Sequence, residues 1–232
     1  LHYHADPRLD VTAMYVDNRY RQQEAYLSAA HRFKPFRWWT LSLATDFQWN
    51  SLDADLRDFV YPLRYAGYGA AATAFEFGGL KLSASLLYTY IHDVLRASDA
   101  EMDDRHQLSP AVIASWKPFR DIDLELRAFY KKNYRMPTFN DLYYTFTGAS
   151  WLEPEETTQY DFGATWHLIR NKGWFRGLDI QADVYFNQID NKIIAMPTSN
   201  QFRWTMMNLG YVEILGVDAA AQGYFRVGPV GG

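Results

Sequence analysis

The chain contains no cysteine. That excludes a structural disulfide and a cysteine-ligated zinc site. It also has no apolar run of about 18 residues, so no helix of it is expected to cross a membrane. The nearest approach, YAGYGAAATAF at 65–75, is short and made of small residues. A transmembrane β-barrel stays open, because its strands alternate and average to a low hydropathy. The net charge is −4 and no stripe of Lys and Arg runs along any segment. No nucleic-acid partner is therefore expected. The opening LHYHADPRLD lacks a basic segment followed by an apolar one, so it is not a secretion signal. No Pro-, Gly- or Ser-rich linker divides the 232 residues.

Catalytic and metal-binding patterns are missing too. There is no G-x-S-x-G, P-loop, dinucleotide fingerprint or H-E-x-x-H. No enzymatic activity and no cofactor are expected. Asp99, Glu101, Asp103 and Asp104 resemble the start of a calcium loop. However, Asp104 stands where its glycine belongs and Pro110 where its last glutamate belongs. His2 and His4 share one strand face without a third ligand at a suitable spacing. Asp121 and Asp123 lie on one strand face, which suits a hydrated wall better than acid–base catalysis.

What is present is alternation with period two. In 39–50, Trp39, Leu41, Leu43, Phe47 and Trp49 oppose Thr40, Ser42, Asp46, Gln48 and Asn50. The same pattern recurs in 80–91, 121–131 and 178–188, and with more noise in 23–33, 65–77, 107–117, 156–169 and 204–225. This predicts about nine strands and no helix of ordinary length. Short connections at 34–37, 78–79, 117–121 and 171–177 take strict turns with long polar ones at about 51–64, 96–106, 135–155 and 191–203. Barrels of the outer membrane have short periplasmic turns and long outer loops. Aromatic residues crowd the short turns, among them Phe36, Trp38, Trp39, Trp116, Phe119, Trp174 and Phe225. Such rings favour the headgroup zone. The same alternation fits a soluble β-sandwich, whose inner face packs on a second sheet. That rival is a secreted carbohydrate-binding protein, either a lectin or a glycoside hydrolase.

The segment 133–155, NYRMPTFNDLYYTFTGASWLEPE, is too polar for a core strand and too aromatic for an ordinary loop. Pro137 blocks strand pairing. Asn140 and Asp141 are turn residues that bond the local backbone. Tyr143, Tyr144, Phe146 and Trp151 remain as candidate stacking surfaces for a flat ligand, or as rings that pack the loop. Arg135 reads as a structural ion-pair partner of Asp141 or Glu155.

This segment resembles one found late in the barrel of TonB-dependent outer-membrane receptors. The run aromatic-Arg-x-Pro-x-apolar-x-acid-Leu-Tyr maps to Tyr134, Arg135, Pro137, Phe139, Asp141, Leu142 and Tyr143. Leu-x-Pro-Glu maps to Leu152, Pro154 and Glu155. Asp161 and Gly163 stand at the family's Glu-x-Gly. YFNQIDNKI (185–193) and MNLGYVEILGVDAA (207–220) resemble its next hairpin. The resemblance implies an all-β fold, an antiparallel transmembrane barrel of 22 strands. This chain would supply about nine of them, and all of 1–232 would be barrel. The ending RVGPVGG lacks the family's final aromatic residue, so the expectation is an incomplete barrel with its plug domain outside this chain. The resemblance further implies a site in the bacterial outer membrane, contact with its lipid, and TonB-driven uptake of a scarce large solute. A cobalamin or a ferric siderophore fits that class. Haem fits less well, because no histidine lies between Pro137 and Pro154.

Overall fold

The computed structural model describes residues 2–4, 17–98, 102–143, 149–172, 174–197 and 204–226. They form ten strands and one short helix: β1 (His2–His4), β2 (Asp17–Phe36), β3 (Trp39–Ala54), β4 (Pro62–Phe77), β5 (Leu80–Leu95), β6 (Arg105–Trp116), β7 (Asp123–Arg135), α1 (Phe139–Tyr143), β8 (Glu155–Lys172), β9 (Phe175–Pro197) and β10 (Trp204–Phe225). All ten strands belong to one sheet in chain order, each beside its sequence neighbour. β1 pairs antiparallel with β2, and β6 through β10 pair antiparallel in succession. A single sheet of this order departs from the two packed sheets of a sandwich.

The strands outrun the alternation that marks them. β9 has 23 residues, roughly 75 Å at about 3.3 Å per residue. Its apolar alternation ends at Phe186, yet ladder pairing continues to Pro197. The long connections are correspondingly shorter than expected. Residues 51–54 and 62–64 belong to β3 and β4, and Asn191–Pro197 to β9 rather than to a loop. Backbone pairing persists where neither face needs apolar side chains.

Two compact units divide the chain. The first comprises Leu1–His31, Leu43–Ala70 and Leu87–Leu108. Its buried residues include Leu52, Ala54, Phe59, Ala66 and Ile91, together with one buried ion pair. Arg64 Nε and Nη2 each donate to Asp93 at 2.7 Å. Arg96 ties the connection between β3 and β4. It donates to the Tyr61 carbonyl at 3.1 Å and to Asp53 at 2.5 Å, and lies over the Tyr61 ring. Of the acids in this connection, Asp53 pairs with Arg96, and Asp55 accepts the Arg19 amide N–H at 2.7 Å.

Just before β6, Asp104 meets His92 Nδ1 at 2.6 Å and accepts the Tyr90 hydroxyl at 2.8 Å. The hydrogen bonds from His92 and Tyr90 hold this carboxyl below its ordinary range. A depressed carboxyl contributes stability above its unfolded pKa of about 3.9, and loses it as pH falls through the folded value. Carbon-detected NMR titration should place the Asp104 midpoint below the ordinary value. His92→Ala should move it upward, and an unmoved midpoint would remove His92 as the cause.

The second unit comprises Arg32–Ser42, Ala71–Leu86 and Ser109–Gly232. Its register across β7–β10 sorts side chains into rows. One face carries Leu124, Trp166, Ile180 and Ala221; Leu126, Ala164, Ala182 and Ala219; Ala128, Phe162, Val184 and Val217; Tyr130, Tyr160, Phe186 and Leu215. This settles the register, since a one-residue slip would exchange the faces. The apolar face is open: Leu215 is 75% exposed and Val217 68%. The next rows are polar, with Lys132 on Glu156 at 2.6 Å and Gln188 donating to Tyr211 at 2.7 Å. The apolar band therefore spans about 20 Å along β7, from Leu124 to Tyr130. At the short-turn end, packed rings flank the sheet. Phe36 lies 5.3 Å from Trp38, Trp38 4.9 Å from Phe77, and Trp174 5.3 Å from Phe225.

Candidate functional site

Segment 133–155 is built around two carboxylates. β7 ends at Arg135, and Pro137, whose ring nitrogen has no hydrogen to donate, is fully buried behind it. Thr138 then starts α1 with a reciprocal cap. Asp141 accepts the Thr138 amide N–H at 2.9 Å, and Thr138 Oγ1 accepts the Asp141 amide N–H at 3.2 Å. This is a capping box with Asp in the place of Glu. The same Asp141 oxygen accepts Arg135 Nη2 at 3.0 Å. Arg135 Nη1 lies 3.8 Å from Glu155, and Glu155 accepts the Ile193 amide N–H at 3.0 Å. Arg135 thus reaches both acids that the sequence offered it. Together they connect the end of β7, α1, the start of β8 and the C-terminal part of β9.

Apolar packing closes the segment. Leu142, Ala149, Leu152 and Ile193 form a buried cluster, with Tyr143 and Met206 packed against it. Burying one such leucine contributes about 1.5–3 kcal/mol. Tyr143 also lies 5.9 Å from Phe139, so part of its ring is used in packing. Tyr144 and Phe146 lie outside the described residues. Trp151 is 71% exposed. Pro154, half-buried, leads into β8 at Glu155.

A polar clip fixes the base of this loop. Asn208 on β10 accepts the Glu153 amide N–H at 2.8 Å and donates to the carbonyls of Glu153 and Asn191 at 2.9 and 2.7 Å. Asn191 donates to the Glu153 carboxylate at 3.0 Å and adopts a positive φ of 52°. Asparagine tolerates that conformation better than most residues. Sequence reading passed over α1, Asn191 and Asn208. The Thr-x-x-Asp spacing of the capping box was the available signal for α1. Asn208 stands in the Asn-x-Gly element of the 207–220 resemblance, but its bonding role exists only across strands.

The face opposite the apolar rows is ionic. Arg127, Gly163, Asp183 and Asp218 share one row across β7–β10. Arg127 Nη2 donates to Asp183 Oδ1 at 2.9 Å, spanning the glycine. A Cβ at Gly163 would run into that carboxylate. Closer to the short turns, Asp179 bonds His167 Nδ1 at 2.9 Å and accepts the Tyr224 hydroxyl at 2.7 Å. Arg127 and Asp183 thus form an ion pair, and Asp179 is held by two neighbours.

An open apolar band on one face, an ionic opposite face and aromatic short turns describe a sheet meant for lipid on one side and water on the other. Comparison with known proteins agrees. The family model described as TonB dependent receptor-like, beta-barrel matches residues 3–232. The vitamin B12 transporter BtuB of Vibrio vulnificus (strain YJ016) is 34% identical over 88 residues, covering 38% of this chain and 13% of that protein. Among solved structures, the copper transporter OprC superposes with a TM-score of 0.68 at 16% identity, covering 93% of this chain and 36% of that one. The siderophore receptor PirA from Pseudomonas aeruginosa gives 0.62 at 15% identity, covering 88% of this chain and 37% of that one. At those identities the structures speak for the fold alone. The chain spans little more than a third of the length of these solved relatives. On the family match, this chain belongs to the TonB-dependent receptors, as β-barrel sequence of an outer-membrane protein.

Proposed function

We propose that this chain supplies barrel wall and outer loops to a receptor that captures a scarce large solute of the cobalamin or ferric siderophore class. Energy delivered through TonB then releases the solute inward past a plug domain that lies outside this chain. The family match along residues 3–232 carries the reading. The open apolar band supports it, because soluble monomers rarely expose so large a contiguous apolar face. The ionic wall of Arg127, Asp183 and Asp179 suits a water-filled lumen and the polar surface of a plug.

Solute contact is assigned to Tyr143, Tyr144, Phe146 and Trp151. Trp151 is the strongest of these. Its ring is exposed, while its loop is pinned on both sides by the Leu142–Leu152 cluster and the Asn208 clip. A fixed scaffold bearing a free ring loses little entropy on binding. A flat macrocycle or a catecholate ring has the matching π-surface.

The test uses the full receptor that contains this chain, in detergent. Cobalamin and a panel of ferric siderophores are titrated by tryptophan fluorescence and calorimetry. One solute class should bind, and Trp151→Ala should weaken it by about tenfold or more. Failure of both classes would overturn the solute assignment. Unchanged affinity in Trp151→Ala would overturn the role of that ring.

A further inference from the structure

The short-turn end carries a repeated motif that solute uptake does not use. Lys-Pro-Phe-Arg occurs at 34–37, where β2 ends and turns toward β3, and again at 117–120, between β6 and β7. A Phe-Arg pair also opens β9, at Phe175 and Arg176, and closes β10, at Phe225 and Arg226. Lys81 follows the remaining short turn, at 78–79. Basic charge thus collects at one end of a chain whose net charge is −4. The acids nearby are Glu76, Asp121, Asp123, Glu125 and Asp179; Lys117 lies 2.8 Å from Asp123 and 3.9 Å from Glu125, and Asp179 is bonded to His167 and Tyr224. Among the described residues, Lys34, Arg37, Lys81, Arg120 and Arg226 form no ion pair.

The rings between these cations are open. Phe36 and Phe119 are each 53% exposed, and Trp174 and Phe225 stack in the same zone. This aromatic zone continues the apolar face of the sheet. Rings of this kind seat at the acyl–headgroup boundary, and the neighbouring Lys and Arg stems extend their charges to the phosphate level. We propose that the short-turn end is a docking surface for anionic phospholipid, with Lys34, Arg37, Arg120 and Arg226 as its principal phosphate contacts. The occupant is a lipid rather than an acidic protein, because the cations are interleaved with rings that belong in the bilayer. The proposal does not depend on which solute the receptor carries.

The test uses the full receptor containing this chain, in nanodiscs holding equal phosphatidylglycerol and phosphatidylcholine. Native mass spectrometry counts the lipids retained on release from the disc. Wild type should retain phosphatidylglycerol several-fold over phosphatidylcholine. Each neutralised cation should lower that ratio by up to about fivefold. The quadruple variant Lys34→Gln, Arg37→Gln, Arg120→Gln and Arg226→Gln should show no preference. Heat-modifiable gel migration reports folding. If the quadruple variant fails to fold, the pairs Arg37→Gln/Arg120→Gln and Lys34→Gln/Arg226→Gln are read instead. Neutralising Lys131 and Lys192, outside the short-turn end, should leave the ratio unchanged. Equal retention of the two lipids by wild type, or a preference that survives neutralisation, overturns the proposal. So does charge-dependent binding of poly-glutamate to the embedded receptor without a lipid preference, which would assign the surface to a protein.

Discussion

Arg64→Met is expected to destabilise the receptor barrel by about 3–5 kcal/mol, the cost of leaving one partner of a buried ion pair uncompensated. The side chains of Arg64 and Asp93 are only 9% and 6% exposed. Two parallel N–H to oxygen bonds of 2.7 Å join them between β4 and β5. With the guanidinium gone, the Asp93 carboxyl loses both donors in a place that water reaches poorly. The double variant Arg64→Met/Asp93→Leu removes both charges and should recover most of the loss, because two apolar groups of similar volume need no desolvation. Urea unfolding in lipid vesicles, followed by tryptophan fluorescence, measures both. Equal losses in the single and double variants would show that shape, and not charge, is what the pair supplies.

That pair also shows where the sequence is legible and where it is not. Leu124, Leu126, Ala128 and Tyr130 announce their face by spacing alone, and the ladder from β7 to β10 places them in rows as the alternation requires. The bilayer enforces that pattern, so the pattern can be read. Arg64 and Asp93 lie 29 residues apart, and no local spacing connects them. Arg135 was easier, because its partner Asp141 follows six residues later. The outer end of β9 was missed for a related reason. Residues 191–197, expected in a connection, belong to β9 and from Lys192 on pair with β10 through the backbone, and backbone hydrogen bonds leave no side-chain period. α1 has only five residues, too few for a helical period, and only its capping box betrays it. The open band belongs with the legible part, because its rows of apolar side chains mean little until the solvent is recognised as lipid.

Gly163→Val is expected to destabilise by about 1–3 kcal/mol through crowding, before the loss of the ion pair above it is counted. Gly163 is flanked in register by Arg127 on β7 and Asp183 on β9. The pair between those two crosses directly over it. A Cβ there collides with the Asp183 carboxylate, and Arg127 Nη2 lies 3.2 Å from the same position. Neither neighbour can withdraw without breaking the bond to the other. The glycine is therefore required by a close approach across strands, since its own backbone has no positive φ. Gly210, on β10, gives the control: a Cβ there meets nothing within 4 Å. Gly210→Ala should be neutral or slightly stabilising, through reduced freedom of the unfolded chain. Asp183→Ala clears the space above Gly163, so Gly163→Val made in that background should cost less than in wild type. The difference between the two costs is the coupling energy of a double-mutant cycle. An additive cycle would mean that the valine is rejected by something other than the carboxylate, and would separate the role of Gly163 from the Arg127–Asp183 pair.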